Sequence, residues 1–262
     1  MISKINKIKN RKNSEKIICL TAYTYPIAKI LDKHCDIILV GDSLGMTIYG
    51  HPDTTSTTLE MMINHGKAVK KACQNSLVVV DLPINTYEKS PQKALENAKK
   101  VVDLTGCDAI KIETTPALVS TAKFLVDNNI NVMGHVGLLP QRVKEIGGYR
   151  YQGRDQDSAQ QILSTAIELE KCGVFSIVIE AVPALVAENI TNKLSIPTIG
   201  IGASPACDGQ VLVIDDLLGL NQEFKPKFVT HYENLAQKID IAVESFCRDV
   251  KSKKFPAKNN LF

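Results

Sequence analysis

No uninterrupted apolar run in this 262-residue sequence approaches the roughly 18 residues that a membrane-spanning helix needs. The N-terminus is basic, but no apolar h-region follows it, so the pattern of a secretory signal is missing. The cysteines never form a CxxC pair. Seven of them (Cys19, Cys35, Cys73, Cys107, Cys172, Cys207 and Cys247) are scattered and odd in number. That arrangement argues against a disulfide framework or a zinc site and fits a reducing cytosol. Charge of one sign is scarce too, with 31 Lys and Arg against 28 Asp and Glu for a net charge of +3. The basic excess lies in residues 4–16 (Lys4, Lys7, Lys9, Arg11, Lys12 and Lys16) and 248–258. Without an aromatic-interleaved basic patch, these runs read as solvated tails (about 1–15 and 250–262) rather than a nucleic-acid surface.

No repeat and no Pro/Gly/Ser linker divides the chain, and its length and composition suit one globular domain, 1–262, with one large core. What is present is a rhythm of short β-branched runs followed by amphipathic stretches. Strands are expected at 17–23, 37–42, 77–82, 109–113, 131–136, 176–181, 197–202 and 211–215. Several are continuous apolar runs rather than alternating ones, as parallel strands covered on both faces should be.

Helix signals fall between them. Thr57 and Glu60 form a capping-box pair ahead of Leu59, Met62, Ile63, Gly66 and Val69. Ser90 and Pro91 supply a cap and an N1 proline to a helix that Gly106 closes. Asp157 is placed to cap a helix running to Cys172, with Gly173 just past its end. A last helix is expected over about 229–247. Residues 204–210 are too few for a full helix, so the unit between strands seven and eight is degenerate. Eight strands alternating with helices predict a closed α/β barrel of the (β/α)₈ TIM type, with an open doubly wound sheet as the alternative.

Two connections, 44–56 and 137–156, are longer than usual and rich in Gly, Tyr and Arg. Both follow strands, so both would overhang the face where barrel active sites lie, as a lid or substrate wall.

Candidate chemistry gathers at the strand ends. Asp42 ends strand two, Asp81 strand three, and Lys111 and Glu113 strand four, while His135 and Glu180 lie near the ends of strands five and six. Charged groups ending apolar strands are costly unless paired or ligated. In a barrel these ends converge on one rim. Asp42, Asp81 and Glu113 are therefore candidate ligands, directly or through water, and an all-oxygen set favours magnesium over zinc. Alternatively each carboxylate caps a helix or pairs with Lys111. Lys111 is two residues from Glu113 and faces the same way, suited to a substrate carboxylate or a developing enolate oxygen. A Schiff-base role competes, but neighbouring carboxylates keep the amine protonated. His135 is a candidate substrate contact. Glu180, flanked by Ile179 and Ala181, suits a general base. The GIGAS run at 200–204 serves either a phosphate cradle or close backbone packing.

Several stretches match a known family in order from about residue 15 to about 250. They are LTAYTYPIAK (20–29), LVGDSLGMTIYGHPDTT (39–55), VVVDLPINTY (79–87), IKIE (110–113), MGHVGLLPQ (133–141), GGYRYQGR (147–154), IVIEAVP (177–183) and IPTIGIGAS (196–204). The chain resembles the ketopantoate hydroxymethyltransferases. The resemblance implies a barrel of the phosphoenolpyruvate/pyruvate type and a homodecamer with one Mg²⁺ per subunit; from hydropathy and charge, neither a membrane nor a nucleic-acid partner is expected. It also implies a cytoplasmic reaction in which 5,10-methylenetetrahydrofolate gives a hydroxymethyl group to 3-methyl-2-oxobutanoate, on the route to pantothenate. Carried over by motif, Asp42, Asp81 and Glu113 bind magnesium, Asp42, Ser43, Asp81 and Lys111 contact the oxo acid, and Glu180 accepts the proton. The chain departs from the family pattern at Thr24, usually acidic, and at Ser204, where GIGAG is usual.

Overall fold

The computed structural model describes residues 3–221 and 226–262, so the first two residues of the basic N-terminal stretch lie outside it. Eight parallel strands close into a barrel in sequence order. They are β1 (Ile17–Thr21), β2 (Ile37–Val40), β3 (Leu77–Asp81), β4 (Ala109–Glu113), β5 (Val132–Gly137), β6 (Ser176–Glu180), β7 (Thr198–Ile201) and β8 (Gly209–Leu212). The closed barrel is thus the architecture, and the open sheet is excluded. Helices α1 (Lys4–Lys9), α2 (Tyr25–Leu31), α3 (Leu44–Thr47), α4 (Leu59–Ala72), α5 (Pro91–Thr105) and α6 (Val119–Asp127) occupy the first half. Helices α7 (Val143–Ile146), α8 (Gln156–Lys171), α9 (Ala184–Lys193), α10 (Ile214–Leu217) and α11 (Leu235–Lys251) follow. The chain forms two compact units, residues 1–213 and 214–262.

Local chemistry explains where the elements start and stop. Ser90 caps α5 by accepting from the Lys93 amide, Pro91 opens it, and Gly106 ends it in the left-handed conformation at φ 71°. Two expected caps are displaced. Thr58, not Thr57, caps α4 by accepting from the Met61 amide, because the Thr57 hydroxyl donates instead to the Asp42 carbonyl at 3.0 Å. Asp155, not Asp157, caps α8 through the Ser158 amide. The last helix also begins later than its apolar pattern suggests, at Leu235.

Strand β8 starts two residues early. Gly209 pairs with Ile17, and a Cβ there would meet the Ile17 carbonyl oxygen at 2.5 Å, so only glycine admits the closing strand so near. No helix separates β7 from β8, as expected. Cys207 Sγ and Gln210 would each lie 3.1 Å from a Cβ on Gly200, which favours the packing role of GIGAS.

Inside the barrel, alternate residues face the axis. Ile17, Cys19, Ile37, Leu39, Leu77, Val79, Ala109, Met133, Val178, Ile199 and Val211 form one apolar cluster there, and Ile8 of α1 is buried in it. The N-terminal segment is therefore not a solvated tail. Its basic groups grip the residues that precede the strands. Lys4 Nζ donates to the Ser76 carbonyl at 2.7 Å, Arg11 pairs with Asp36 at 3.2 Å, and Lys16 Nζ donates to the Cys207 carbonyl at 2.5 Å. Lys12 pairs with Asp208 at 2.9 Å, and Asp208 also accepts from the Thr198 and Asn13 amides. Burial alone would raise the Asp208 pKa, but these donors outweigh it and hold the carboxyl below its ordinary value.

Helix α11 in the C-terminal unit buries no residue. Ile239, Val243, Phe246 and Val250, spaced as one helical stripe, are 48%, 54%, 54% and 45% exposed. Among the described residues no helix is long and apolar enough to cross a membrane.

The Asp208 network gives a direct test. Asp208→Asn should cost about 2–4 kcal/mol in urea unfolding at neutral pH, because it leaves the Lys12 charge short of a partner. Since the folded pKa is depressed, this contribution is full above the unfolded value of about 3.9 and is lost as pH falls through the lower folded value. The gap between mutant and parent should close in that acid range.

Candidate active site

Interior parity carries directly from the apolar layers to the charged ones. Leu77 and Val79 precede Asp81 on β3, Ala109 precedes Lys111 and Glu113 on β4, Met133 precedes His135 on β5, and Val178 precedes Glu180 on β6. Asp81 lies opposite Lys111, and Glu113 opposite His135, in the strand register. Asp42 arrives differently, two residues past the end of β2. Its amide donates to Asp81 Oδ2 at 3.1 Å. Asp42, Asp81, Glu113, Lys111 and His135 are all buried.

Lys111 Nζ is 3.0 Å from Asp81 Oδ1, close enough for an ion pair but not aligned for a hydrogen bond. Burial alone would lower the lysine pKa; the charges of Asp81, Asp42 and Glu113 outweigh it and hold the ammonium above its ordinary value. A protonated lysine does not form a Schiff base. The carboxylates move the other way. Burial, with repulsion from Asp42, pushes Asp81 up to about 7. Burial raises Asp42, and burial with repulsion from Asp42 raises Glu113 well above the usual range. Burial and the Lys111 charge lower the His135 pKa, which favours the neutral imidazole. Its Nε2 is 3.3 Å from Glu180 Oε2, and its Nδ1 is 4.0 Å from Glu113 Oε1, neither aligned as a hydrogen bond.

Glu180 is the most open member, its side chain 16% exposed, so its setting is less apolar than Ile179 and Ala181 suggest. Ala181 follows it at φ 45°, a left-handed conformation uncommon for a residue with a Cβ. Across the strand pair Gly137, at φ 96°, lets the chain approach the Glu180 carbonyl, which accepts from the Leu138 amide at 2.8 Å. Ser43 Oγ is 2.7 Å from the Tyr23 hydroxyl. The two long loops meet each other, Lys144 Nζ lying 2.8 Å from Thr55 Oγ1 and 3.2 Å from Asp53 Oδ2.

Two residues that the charge-based reading passed over sit among the carboxylates. Gln141 donates from Nε2 to Asp42 Oδ2 at 2.7 Å and from its backbone amide to Glu113 Oε1 at 3.1 Å. The Tyr87 hydroxyl donates to Gln141 Oε1 at 2.7 Å. Both are uncharged. Their only signal in the sequence was membership of the LLPQ and DLPINTY stretches.

Comparison with known proteins decides the family. A family model described as ketopantoate hydroxymethyltransferase matches residues 2–258. A 3-methyl-2-oxobutanoate hydroxymethyltransferase of Chelativorans sp. (strain BNC1) is 48% identical over 97% of this chain and 90% of its own length. One from Paracoccus denitrificans (strain Pd 1222) is 47% identical, covering 97% and 92%. The chain belongs to the ketopantoate hydroxymethyltransferase family. Among solved structures, phosphonopyruvate hydrolase in complex with oxalate and Mg²⁺ superposes with a TM-score of 0.63 at 12% identity, over 100% of this chain and 92% of that one. A 2,3-dimethylmalate lyase gives 0.62 at 12%, over 98% and 90%. At that identity the likeness speaks for the barrel fold alone.

The donor chemistry of this family member fits a hard divalent cation. Burial and, for Asp81 and Glu113, repulsion from Asp42 raise the carboxyl groups of Asp42, Asp81 and Glu113 although Lys111 lies among them, so a cation bound there would relieve the cost of ionising them. Among the described residues no three His, Cys, Asp or Glu side chains are spaced to hold an ion directly. A direct set of three is not required of magnesium, which commonly takes one or two protein carboxylates and completes its shell with water and substrate.

Lys111→Met should cost the metal-free protein about 3–5 kcal/mol in urea unfolding near pH 8, since it strands buried carboxylates. The raised Asp81 pKa opposes folding above about 7 and is relieved as pH falls toward the unfolded value of about 3.9. Acidification from pH 8 to 5 should therefore recover part of the loss.

Proposed function

We propose that the chain transfers a hydroxymethyl group from 5,10-methylenetetrahydrofolate to 3-methyl-2-oxobutanoate, giving 2-dehydropantoate for pantothenate and coenzyme A synthesis in the cytoplasm. One observation carries the reading: in a chain of this family, Asp42, Asp81, Glu113, Lys111 and Glu180 crown the same end of a closed barrel. All seven cysteines are free, in keeping with a reducing compartment.

Asp42, Asp81 and Glu113 would hold magnesium, in part through its water. When bound, the ion supplies Lewis acidity at the keto oxygen of the oxo acid. Lys111 stays protonated and offsets the negative charge of the substrate, with Ser43 and neutral His135 as further contacts. Glu180, the most solvent-accessible of the four carboxylates, takes the C3 proton. Losing that proton makes C3 the nucleophile that attacks the methylene carbon of the folate. Both methylene C–N bonds break, one water molecule supplies the hydroxyl oxygen of the new group, and the C3 proton and one water proton end on the two nitrogens of the departing tetrahydrofolate. The two long loops, tied to each other by Lys144, would form a wall that limits water at the reacting carbon to what the reaction consumes.

A second reading has an observation of its own, since the barrel resembles those of phosphonopyruvate hydrolase and 2,3-dimethylmalate lyase. Turnover of 3-methyl-2-oxobutanoate with and without methylenetetrahydrofolate separates the two. Strict folate dependence is expected, and folate-independent cleavage of a hydroxy acid would establish the lyase instead.

Glu180→Gln should slow exchange of the C3 proton of 3-methyl-2-oxobutanoate into D₂O by about 10²–10⁴-fold, followed by NMR without folate. Unchanged exchange would remove Glu180 from the role of base. The family's homodecamer is part of this proposal, and the exposed stripe of α11 supports self-association. Phe246→Asp should shift the mass measured by light scattering toward smaller species; an unaltered mass would rule out this helix as an interface.

A further inference from the structure

Gln141 is 2% exposed and Tyr87 is 1% exposed, yet neither is a passive core residue. Every hydrogen-bonding group of the Gln141 side chain is engaged. Its Nε2 donates to Asp42 Oδ2 at 2.7 Å and to the Leu82 carbonyl at 3.0 Å, while its Oε1 accepts from the Tyr87 hydroxyl at 2.7 Å. The Leu82 carbonyl can only accept, so it fixes which end of the amide faces Asp42, whatever the protonation of that carboxyl. The Tyr87 hydroxyl then completes the other end. The Gln141 backbone amide meanwhile donates to both oxygens of Glu113, at 3.1 and 3.2 Å. One residue in the turn after β5 thus ties together the end of β3 and two carboxylates that follow β2 and end β4.

We propose that Tyr87 and Gln141 form a buried positioning relay that presents Asp42, and through the Gln141 backbone Glu113, to the divalent cation and oxo acid. This rests on the metal-dependent reading above. Asp42 lies outside the strand, without the barrel ladder that orients Asp81 and Glu113, so its side-chain direction depends on partners brought to it. Gln141 supplies a neutral donor there. An amide can hold a carboxylate without pairing its charge, which keeps that charge available to a cation. Lysine or arginine in the same place would neutralise it. Replacing the amide by a carboxylate would remove the donor and add repulsion. Tyr87 acts one step further out, since without its hydroxyl the buried Oε1 loses its donor and the amide loses one of the bonds that hold it.

The test measures Mn²⁺ binding to the full-length protein by calorimetry and electron paramagnetic resonance, with and without 3-methyl-2-oxobutanoate. It is paired with thermal melting and steady-state kinetics. Gln141→Met should weaken Mn²⁺ binding by about 10–100-fold, the range for residues that orient metal ligands. Tyr87→Phe, which keeps the ring in place, should weaken it by about 3–10-fold, the loss of one hydrogen bond. It should lower kcat more than it raises KM for the oxo acid. In the Gln141→Met background Tyr87→Phe should add nothing, because its effect passes through the amide. Parental Mn²⁺ affinity in either single variant overturns the relay, and so do additive effects in the double variant. If the parent protein turns over without any divalent ion and binds no Mn²⁺, the metal-dependent reading itself falls and takes the relay with it.

Discussion

Placing four carboxylates and one ammonium together at the mouth of a barrel sets the terms for the rest of this structure. Lys111 is anchored on β4 with its Nζ against Asp81, and the surrounding anions hold it protonated despite burial. The same burial that endangers the ammonium raises the carboxyl groups, so each ionisation state depends on the others. A site of this kind is unstable in isolation. The barrel tolerates it because each strand beneath is locked by its apolar layer, from Ile17 and Leu77 through Met133 and Val178.

The two ends of the barrel solve opposite problems. At the N-terminal end the residues just before the strands, Asp36, Ser76 and Asp208, are met by basic groups of residues 4–16, and Ile8 fills the interior. Charge there is paired and spent on holding the fold. At the C-terminal end acidic groups outnumber basic ones, and Gln141, itself held by Tyr87, meets Asp42 with a neutral donor. Stability is concentrated at one rim and chemical potential at the other, in the pattern general to such barrels. The loops over the active rim then contribute a wall tied by Lys144 to Asp53 and Thr55.

Much of this was legible in the residue order. Short β-branched runs marked all eight strands, several of them continuous because strands covered on both faces have no polar side to alternate with. Asp81, Lys111, Glu113, His135 and Glu180 were legible for a related reason: charge at the end of an apolar run stands out, and strand parity then fixes which way it faces. The family motifs added Ser43. Errors arose where a side chain had a competing partner. Thr57 reads as a helix cap by spacing, but its hydroxyl is taken by the Asp42 carbonyl. Gln141 and Tyr87 were missed because an uncharged amide and a buried phenol look like packing until their neighbours are known.

The sequence by itself determined the barrel, the strands that carry Asp81, Lys111, Glu113, His135 and Glu180, and the family, since these follow from local periodicity and from motifs that need no contacts to read. Only the tertiary structure decided how the charges share one volume and which partners orient Asp42. It also showed that the basic N-terminal run closes the barrel rather than trailing in solvent. Those outcomes hang on distances between residues far apart in the chain, such as Gln141 with Asp42 or Lys12 with Asp208. Hydrogen bonds and ion pairs depend steeply on such distances, which sequence spacing does not encode.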